Sequence, residues 1–178
     1  MKALIVVDVQ KDFVDGVLGS ADAQAVMPNI KKIITEYLEN GDQVYFTFDT
    51  HSEDNYFETL EVQKLPILHC VNHSDGWKIA NGLRDINVEN FAEQVGYIEK
   101  TTFGYSHWPL ALNEDTYESI TLVGLDTDIC VVSNALILRA QFPNTPIYVI
   151  ANCCAGTSQN AHNAALTVMR SCQIEVIE

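Results

Sequence analysis

Basic residues and long apolar stretches are what this 178-residue sequence has least of. Ten Lys and Arg stand against 24 Asp and Glu, which leaves a formal charge of −14. This acidity disfavours nucleic acids and anionic membrane surfaces as partners, because like charges repel. No apolar run approaches the ~20 residues of a membrane span, and Asp8 interrupts the N-terminal run too early for a signal peptide. We therefore expect a cytoplasmic protein, with one domain over residues 1–178, that binds neither nucleic acid nor membranes.

Paired cysteines are also missing. The five cysteines are an odd number, two of them are adjacent, and none forms a C-x-x-C pair. A disulfide framework and a structural zinc site are therefore disfavoured. Each cysteine is expected first as a small buried hydrophobic residue, so a reactive thiol needs its own argument. The five are Cys70, Cys130, Cys153, Cys154 and Cys172.

Short apolar runs alternate with amphipathic segments along the chain. Strands are predicted at 3–9, 43–48, 95–99, 119–124, 146–151 and 173–177, and helices at 24–39, 126–139 and 158–171, with a short helix possible at 78–83. Continuous β-branched runs are typical of strands buried on both faces. The pattern predicts an α/β fold of three layers (α/β/α), doubly wound around a mainly parallel six-stranded sheet. Residues 49–77 show no period and are expected to form a long functional loop.

Chemically active side chains follow four of the predicted strands. Asp8 ends the first strand, Asp49 and His51 the second, Lys100 the third, and Cys130 lies just after the fourth. Ligands of open parallel sheets bind beyond the carboxyl ends of the strands. We therefore expect these five side chains to lie along one edge of the sheet.

Cys130 is the candidate nucleophile. It lies in the first turn of a predicted helix, where free N–H groups and the helix dipole favour a thiolate and can hold an oxyanion. A neighbouring Lys100 would lower the pKa of the thiol further, and a carboxylate such as Asp8 could take its proton. A lone cysteine is more often ordinary helix packing. The position of Cys130 beside two other active strand ends favours the catalytic interpretation.

Asp49 and His51 form a candidate metal site. Side chains two residues apart in an extended segment point the same way, and His69 could complete a set of two histidines and one carboxylate. A hydrogen-bonded Asp–His pair without metal is an open alternative. Three acidic residues of the loop could add a ligand: Asp54, Glu58 and Glu61.

Together these segments resemble the isochorismatase-like cysteine hydrolases. The resemblance rests on ALIVVDVQKDF, DTH followed by HCV, the lysine of EKTTFGY, and GLDTDICVV, in that order along nearly the whole chain. It implies the fold of that family and a catalytic triad in which Cys130 attacks an amide, Asp8 moves the proton and Lys100 holds the charges. It also implies an oxyanion hole made by the backbone amides of Asp126 and Cys130, with a cis peptide bond between Leu125 and Asp126.

Within that family the nicotinamidase/pyrazinamidase-like branch is the most similar. The resemblance implies one divalent metal, zinc or else iron or manganese, held by Asp49, His51 and His69, and a homo-oligomer acting on a small amide. DTHSEDNYFE lacks the second histidine that many members have, and Glu61 is then a better fourth ligand than Glu58. Three aromatic residues are candidates to hold a flat ring: Phe13, Trp77 and Phe103.

Three other functions stay open at this point. A related cysteine hydrolase could act on another small amide or carbamoyl compound without metal. A zinc hydrolase could work through a metal-bound water, and it would then tolerate loss of Cys130. A non-catalytic flavodoxin-like module is disfavoured, because neither G-x-G-x-x-G nor a P-loop follows the first strand.

Overall fold

The six strands form one all-parallel sheet. A computed structural model describes residues 1–54, 56–83, 86, 88–112 and 117–178. The strands are β1 (Lys2–Val7), β2 (Gln43–Asp49), β3 (Val95–Lys100), β4 (Ser119–Leu125), β5 (Ile147–Ala155) and β6 (Glu175–Ile177). Their order in the sheet is β3-β2-β1-β4-β5-β6, which confirms the predicted doubly wound fold and puts the reversal of strand order between β1 and β4.

Three longer helices and two short ones accompany the strands. They are α1 (Lys11–Val14), α2 (Ala21–Glu39), α3 (Trp108–Ala111), α4 (Val132–Gln141) and α5 (Gln159–Ser171). A π-helical segment, Thr127–Val131, joins β4 to α4. The hydroxyls of Ser20 and Ser158 accept hydrogen bonds from the first turns of α2 and α5, which fixes where these helices begin.

None of the helices in the described ranges is both long enough and apolar enough to cross a membrane.

Alternate side chains of β1 serve the two faces of the sheet. Leu4 and Val6 pack into a cluster with α2, and Ile5 and Val7 pack into a second cluster with α4 and α5. All four side chains are fully buried. Helices therefore cover both faces, as the uninterrupted apolar run of β1 predicts.

Several predicted boundaries are wrong. The possible helix at 78–83 is only a 3₁₀ turn, Asn81–Leu83, and β5 continues four residues past its predicted end at 151. The end of β5 still pairs with β4, because Cys154 and Ala155 lie opposite Gly124 and Leu125 after a shift in register. The helices α1 and α3 were not predicted, because four residues are too few to show a helical period.

Gly124 lets β1 and β4 approach closely at the reversal point. Its φ is +121°, and a Cβ there would lie 2.2 Å from the carbonyl oxygen of Val7. An L-residue would therefore be strained in its backbone and would also push β4 away from β1. The carboxyl ends of β1 and β4, where the two strands approach, lead into Asp8 and into the segment with Cys130.

Replacing Gly124 by Ala is expected to lower the free energy of unfolding by roughly 2–4 kcal/mol, because strain and overlap both act. Gly41→Ala is the matched control. Gly41 also has a positive φ, +78°, but open space around it, so its cost is about 1 kcal/mol. Urea unfolding of both variants measures the difference, and equal losses would contradict the close-approach argument.

Candidate active site

Asp8, Lys100 and Cys130 meet at the carboxyl edge of the sheet and are called the triad below. The Nζ of Lys100 lies 2.6 Å from Oδ2 of Asp8 and 3.7 Å from Sγ of Cys130. All three residues are at most 4% exposed. The structure thus brings together the three side chains that strand-end reasoning placed on one edge.

Thr47 fixes the orientation of Asp8. Its hydroxyl donates to Oδ1 of Asp8 at 2.6 Å and accepts from the Asp8 N–H at 3.1 Å. Asp8 has a φ of +48°, so the chain turns sharply where β1 ends. A positive φ outside glycine is sparsely populated and persists where surrounding contacts determine it. The side chain is held between Thr47 and Lys100 as a result.

Burial and charge shift the three pKa values of the triad. Burial raises the pKa of Asp8 and the charge of Asp49 adds to this, while Lys100 opposes it. Burial alone would lower the pKa of Lys100, but its anionic neighbours, Asp8 first, raise it above the usual value. Lys100 therefore stays cationic, and Asp8 holds a proton more readily than an ordinary carboxyl.

The expectation of a lowered thiol pKa at Cys130 is wrong. Burial raises this pKa well above its usual value, and the charge of Asp8 raises it further, while Lys100 only partly opposes them. The charge of Lys100 does not outweigh the desolvation of a thiolate. The resting thiol is accordingly protonated at neutral pH and needs a base.

The chain enters the nucleophile segment, Thr127–Val131, through Asp126. The peptide bond between Leu125 and Asp126 is trans, so the expected cis bond is wrong here. Trans is the form favoured by ~3 kcal/mol outside proline, and Asp126 continues extended backbone from β4. The role of the Asp126 and Cys130 amides as an oxyanion hole stays a prediction.

Asp49, His51, His69 and Glu61 converge beside the triad and are called the Asp–His group below. The Nε2 atoms of His51 and His69 lie 3.0 and 3.3 Å from Oδ2 of Asp49. Glu61 reaches the same two nitrogens at 3.8 and 3.7 Å. Ligand atoms of Asp49, His51 and His69 all lie within 4.8 Å of one another, so these residues could hold one divalent ion.

Second-layer contacts orient the histidines for such a role. Nδ1 of His69 bonds to the carbonyl of Ile67 at 2.8 Å, which leaves Nε2 facing Asp49. The Tyr56 hydroxyl lies 2.7 Å from the carbonyl oxygen of Leu65 and 2.9 Å from that of Ile67, and its single hydrogen is donated to this pair of acceptors. Tyr56 is fully buried, and no sequence motif had marked it. It fixes the end of the loop that leads into His69.

Gln10 fixes the backbone of Asp49. Its side-chain oxygen accepts from the Asp49 N–H at 2.8 Å, and its NH₂ donates to the carbonyls of Asp49 and Trp77, each at 2.9 Å. The side chain is 1% exposed. Its place between the end of β2 and the loop that carries Trp77 could not be seen in the sequence.

Electrostatics couple the triad to the Asp–His group. Oδ1 of Asp49 lies 3.8 Å from Nζ of Lys100. Burial opposes ionisation of Asp49, but hydrogen bonds from His51 and His69 and the charge of Lys100 hold its pKa well below the usual value. Asp49 is therefore a permanent carboxylate, as a metal ligand must be.

A cavity of about 1030 Å³ opens beside these residues. Six of its lining residues are Thr50, His51, Leu60, Glu61, Phe103 and Ile129. Phe103 is the predicted ring contact that lines it. Phe13 is buried with its ring 5.6 Å from that of His69, and Trp77 packs on Phe48 at 4.9 Å. Glu58 and Asp54 do not line this cavity.

Comparison with known proteins gives concordant matches. The isochorismatase domain family matches residues 2–178. The nicotinamidase of Schizosaccharomyces pombe is 29% identical, with 98% of this chain and 92% of the yeast protein covered. The crystal structure of nicotinamidase/pyrazinamidase PncA from Bacillus subtilis is 29% identical, with both chains fully covered and a TM-score of 0.89. The pyrazinamidase/nicotinamidase of Streptococcus mutans is 29% identical, covers 99% and 100% of the two chains and has a TM-score of 0.86.

His69→Ala is expected to weaken Zn²⁺ binding by roughly 100-fold or more. Losing a residue that contacts the metal should lower the affinity more than the ~10–100-fold lost with a residue that only orients such a ligand. Isothermal titration of the metal-free protein with Zn²⁺ measures this. His107→Ala is the control, since His107 is exposed and bonds to Ser106 away from the group. Equal Zn²⁺ affinity of the two variants would contradict the assignment.

Asp126→Asn is expected to raise the Tm above pH 7. Burial, with the charges of Asp128 and Asp8, raises the pKa of Asp126 to about 7. Between about pH 4 and pH 7 this carboxyl ionises in the unfolded chain but stays protonated in the folded protein. The folded protein therefore loses stability as the pH rises through this window. The Tm gain of the Asn variant should grow over this window and then stay constant.

Asp75→Asn provides the control of opposite sign. Hydrogen bonding to Lys11 lowers the pKa of Asp75, so its ionised form favours the folded state above that pKa. The Asn variant should be slightly less stable at neutral pH and match wild type in acid. A Tm difference for Asp126→Asn that does not change with pH would refute its buried ionisation.

Proposed function

The chain belongs to the isochorismatase family, and from this premise we propose that it is a metal-assisted cysteine amidase that hydrolyses nicotinamide to nicotinate and ammonia. The observation that carries the proposal is the thiol of Cys130, 3.7 Å from Nζ of Lys100, which is itself 2.6 Å from Asp8 and 3.8 Å from Asp49 of the Asp–His group. Nucleophile, base, cation and candidate metal ligands thus share one site. The nicotinamidases among its relatives support the choice of substrate.

Cys130 acts first. Its sulfur attacks the amide carbonyl carbon, a C–S bond forms, and the thiol proton passes to Asp8, because the Asp8 carboxylate and the sulfur lie 2.6 and 3.7 Å from the same Nζ of Lys100. A base is required because the resting thiol is protonated. The carbonyl oxygen becomes an oxyanion, for which the backbone amides of Asp126 and Cys130 are the proposed donors.

Asp8 then returns the proton. The C–N bond breaks, the leaving nitrogen takes the proton from Asp8 and departs as ammonia, and the acyl group stays on Cys130 as a thioester. A water molecule next attacks the thioester while Asp8 accepts its proton. The C–S bond breaks, Asp8 returns this proton to the sulfur of Cys130, and the acid product leaves as nicotinate after giving its own proton to the solvent. Lys100 stays cationic throughout and offsets the negative charge that moves between sulfur and carboxylate.

The Asp–His group fits a divalent metal, because carboxylate and imidazole donors suit zinc, iron and manganese. Asp49, His51 and His69 would hold it, with Glu61 as a fourth ligand and zinc as the proposed ion. When bound, the metal would act as a Lewis acid toward the pyridine nitrogen of nicotinamide. Phe13, Trp77 and Phe103 are the proposed ring contacts, and Phe103 lines the adjoining cavity.

The proposed setting is a homo-oligomer in the cytoplasm, acting on a small neutral amide. The formal charge of −14 does not repel such a substrate. The same charge favours departure of the carboxylate product, since like charges repel. Light scattering of the purified protein measures the oligomeric state directly.

Ammonia release from nicotinamide tests the function. We expect Cys130→Ala and Asp8→Asn to lose at least about 10³-fold in kcat/KM, because each removes a group that forms or breaks a bond, and Lys100→Ala to lose about 10²-fold. Cys172→Ser is the control, because Cys172 is exposed and outside the site. Chelation should also remove most activity, and Zn²⁺ should restore it.

Each alternative gives a different result in this assay. Full turnover by the metal-free protein would favour a metal-independent cysteine hydrolase. Activity that survives Cys130→Ala would favour a metal-bound water as the nucleophile. No turnover, with Cys130 inert to iodoacetamide and a yellow protein, would favour a flavin-binding module.

A further inference from the structure

Asn134 is a fully buried amide one helical turn after Cys130. It lies on α4, is 0% exposed, and has hydrogen bonds at both ends of its side chain. Its NH₂ donates to the carbonyl of Cys130 at 2.8 Å and to that of Phe103 at 3.2 Å. Its oxygen accepts from the Tyr105 N–H at 2.9 Å and from Nε1 of Trp108 at 3.1 Å.

These four bonds use the whole capacity of an amide side chain, which has two donor hydrogens and two acceptor lone pairs. Asp has no hydrogens for the two carbonyls when ionised, and an aliphatic residue makes none of the four bonds. A fully satisfied buried polar network fixes one arrangement of the segments that it joins.

The segments joined by Asn134 carry opposite sides of the site. One is the nucleophile segment with Cys130. The other is residues 101–108, which follow Lys100 directly and include Phe103 at the cavity. β3, which ends at Lys100, and β4, which leads to Cys130, are separated in the sheet by β2 and β1. No ladder hydrogen bond therefore joins β3 to β4 directly.

We propose that Asn134 is a positioning residue that sets the backbone of Cys130 against the loop carrying Phe103. This rests on the proposed function, in which Cys130 attacks an amide whose ring faces the cavity. Asn134 touches neither substrate nor reacting atoms. It acts through the Cys130 carbonyl on one side and through the carbonyl of Phe103 and the N–H of Tyr105 on the other.

Two variants test this link. Asn134→Asp keeps the acceptor for Tyr105 and Trp108 but loses both donors, so it should lower kcat by about tenfold or more with little change in KM. Asn134→Ala loses all four bonds and should also raise KM several-fold. Ser133→Ala is the matched control. Ser133 donates to the carbonyl of Ile129 within the helix and makes no hydrogen bond to residues 101–108, so kcat and KM should stay unchanged.

The readouts separate positioning from a merely structural role. Rates are expressed per mole of folded protein, taken from the amplitude of the thermal unfolding transition, so that misfolded protein does not count. The Cys130 peptide that iodoacetamide captures is identified by its mass. We expect Cys130 in Asn134→Asp to be captured about threefold or more slowly than in wild type, because it moves relative to Lys100. A lower Tm with unchanged kcat, KM and capture rate per site would overturn the proposal.

Trp108→Phe decides the matter if neither Asn134 variant folds. It removes the indole N–H that bonds to Asn134 together with part of a fully buried ring, and should lower kcat or raise KM at least two- to fivefold per site, by the loss of about one hydrogen bond. Values equal to those of Ser133→Ala would overturn the proposal.

The capture rate of Cys130 does not depend on the substrate. If wild type fails to hydrolyse nicotinamide, the proposed function fails, while capture still tests Asn134.

Discussion

The buried ion pair between Lys100 and Asp8 is the interaction on which the site depends. Both side chains are at most 1% exposed and their charged atoms are 2.6 Å apart. Removing two charges from water is costly, and a buried pair often contributes little net stability. Breaking it would leave one charge buried alone, which costs far more. Such a pair is therefore better understood as part of a chemical site than as a support of the fold.

The charge balance of the site follows from that pair. Asp8, Asp49 and Glu61 are three carboxyl groups, and Lys100 is the one lysine within 4 Å of any of them among the described residues. With all of them ionised the excess is two negative charges, held in a buried place where repulsion is weakly screened. A divalent cation on the Asp–His group would offset this excess. The same count explains why a permanent thiolate at Cys130 is disfavoured: it would add a third negative charge beside Asp8.

The sequence predicts this site as far as local patterns reach. Strand ends in a parallel sheet share an edge, so four apolar runs were enough to bring Asp8, Asp49, Lys100 and Cys130 together. Gln10, Tyr56 and Asn134 were given no role, because each also bonds to a residue that no motif joins to it: Trp77, Ile67 and Phe103, at separations of 67, 11 and 31 residues. A polar residue on the buried face of α4 was the available sign for Asn134. The thiol pKa was misjudged because the sequence gives neighbours but not the depth of burial.

Burial by itself does not distinguish Cys130 from the other cysteines. It also raises the pKa of Cys153 to about 11 and that of Cys154 to about 12. Burial is the largest cause at both thiols; Glu36 adds to the shift of Cys153 and Lys32 only partly opposes it, so both thiols stay protonated and inert. At Cys130 the same desolvation acts on a thiol and a carboxyl together, and it raises the pKa of both. A proton can then move between sulfur and Asp8 with a smaller difference in free energy than between a buried thiol and an exposed carboxylate. The thiol becomes a nucleophile when its proton moves to Asp8, rather than by standing as a thiolate.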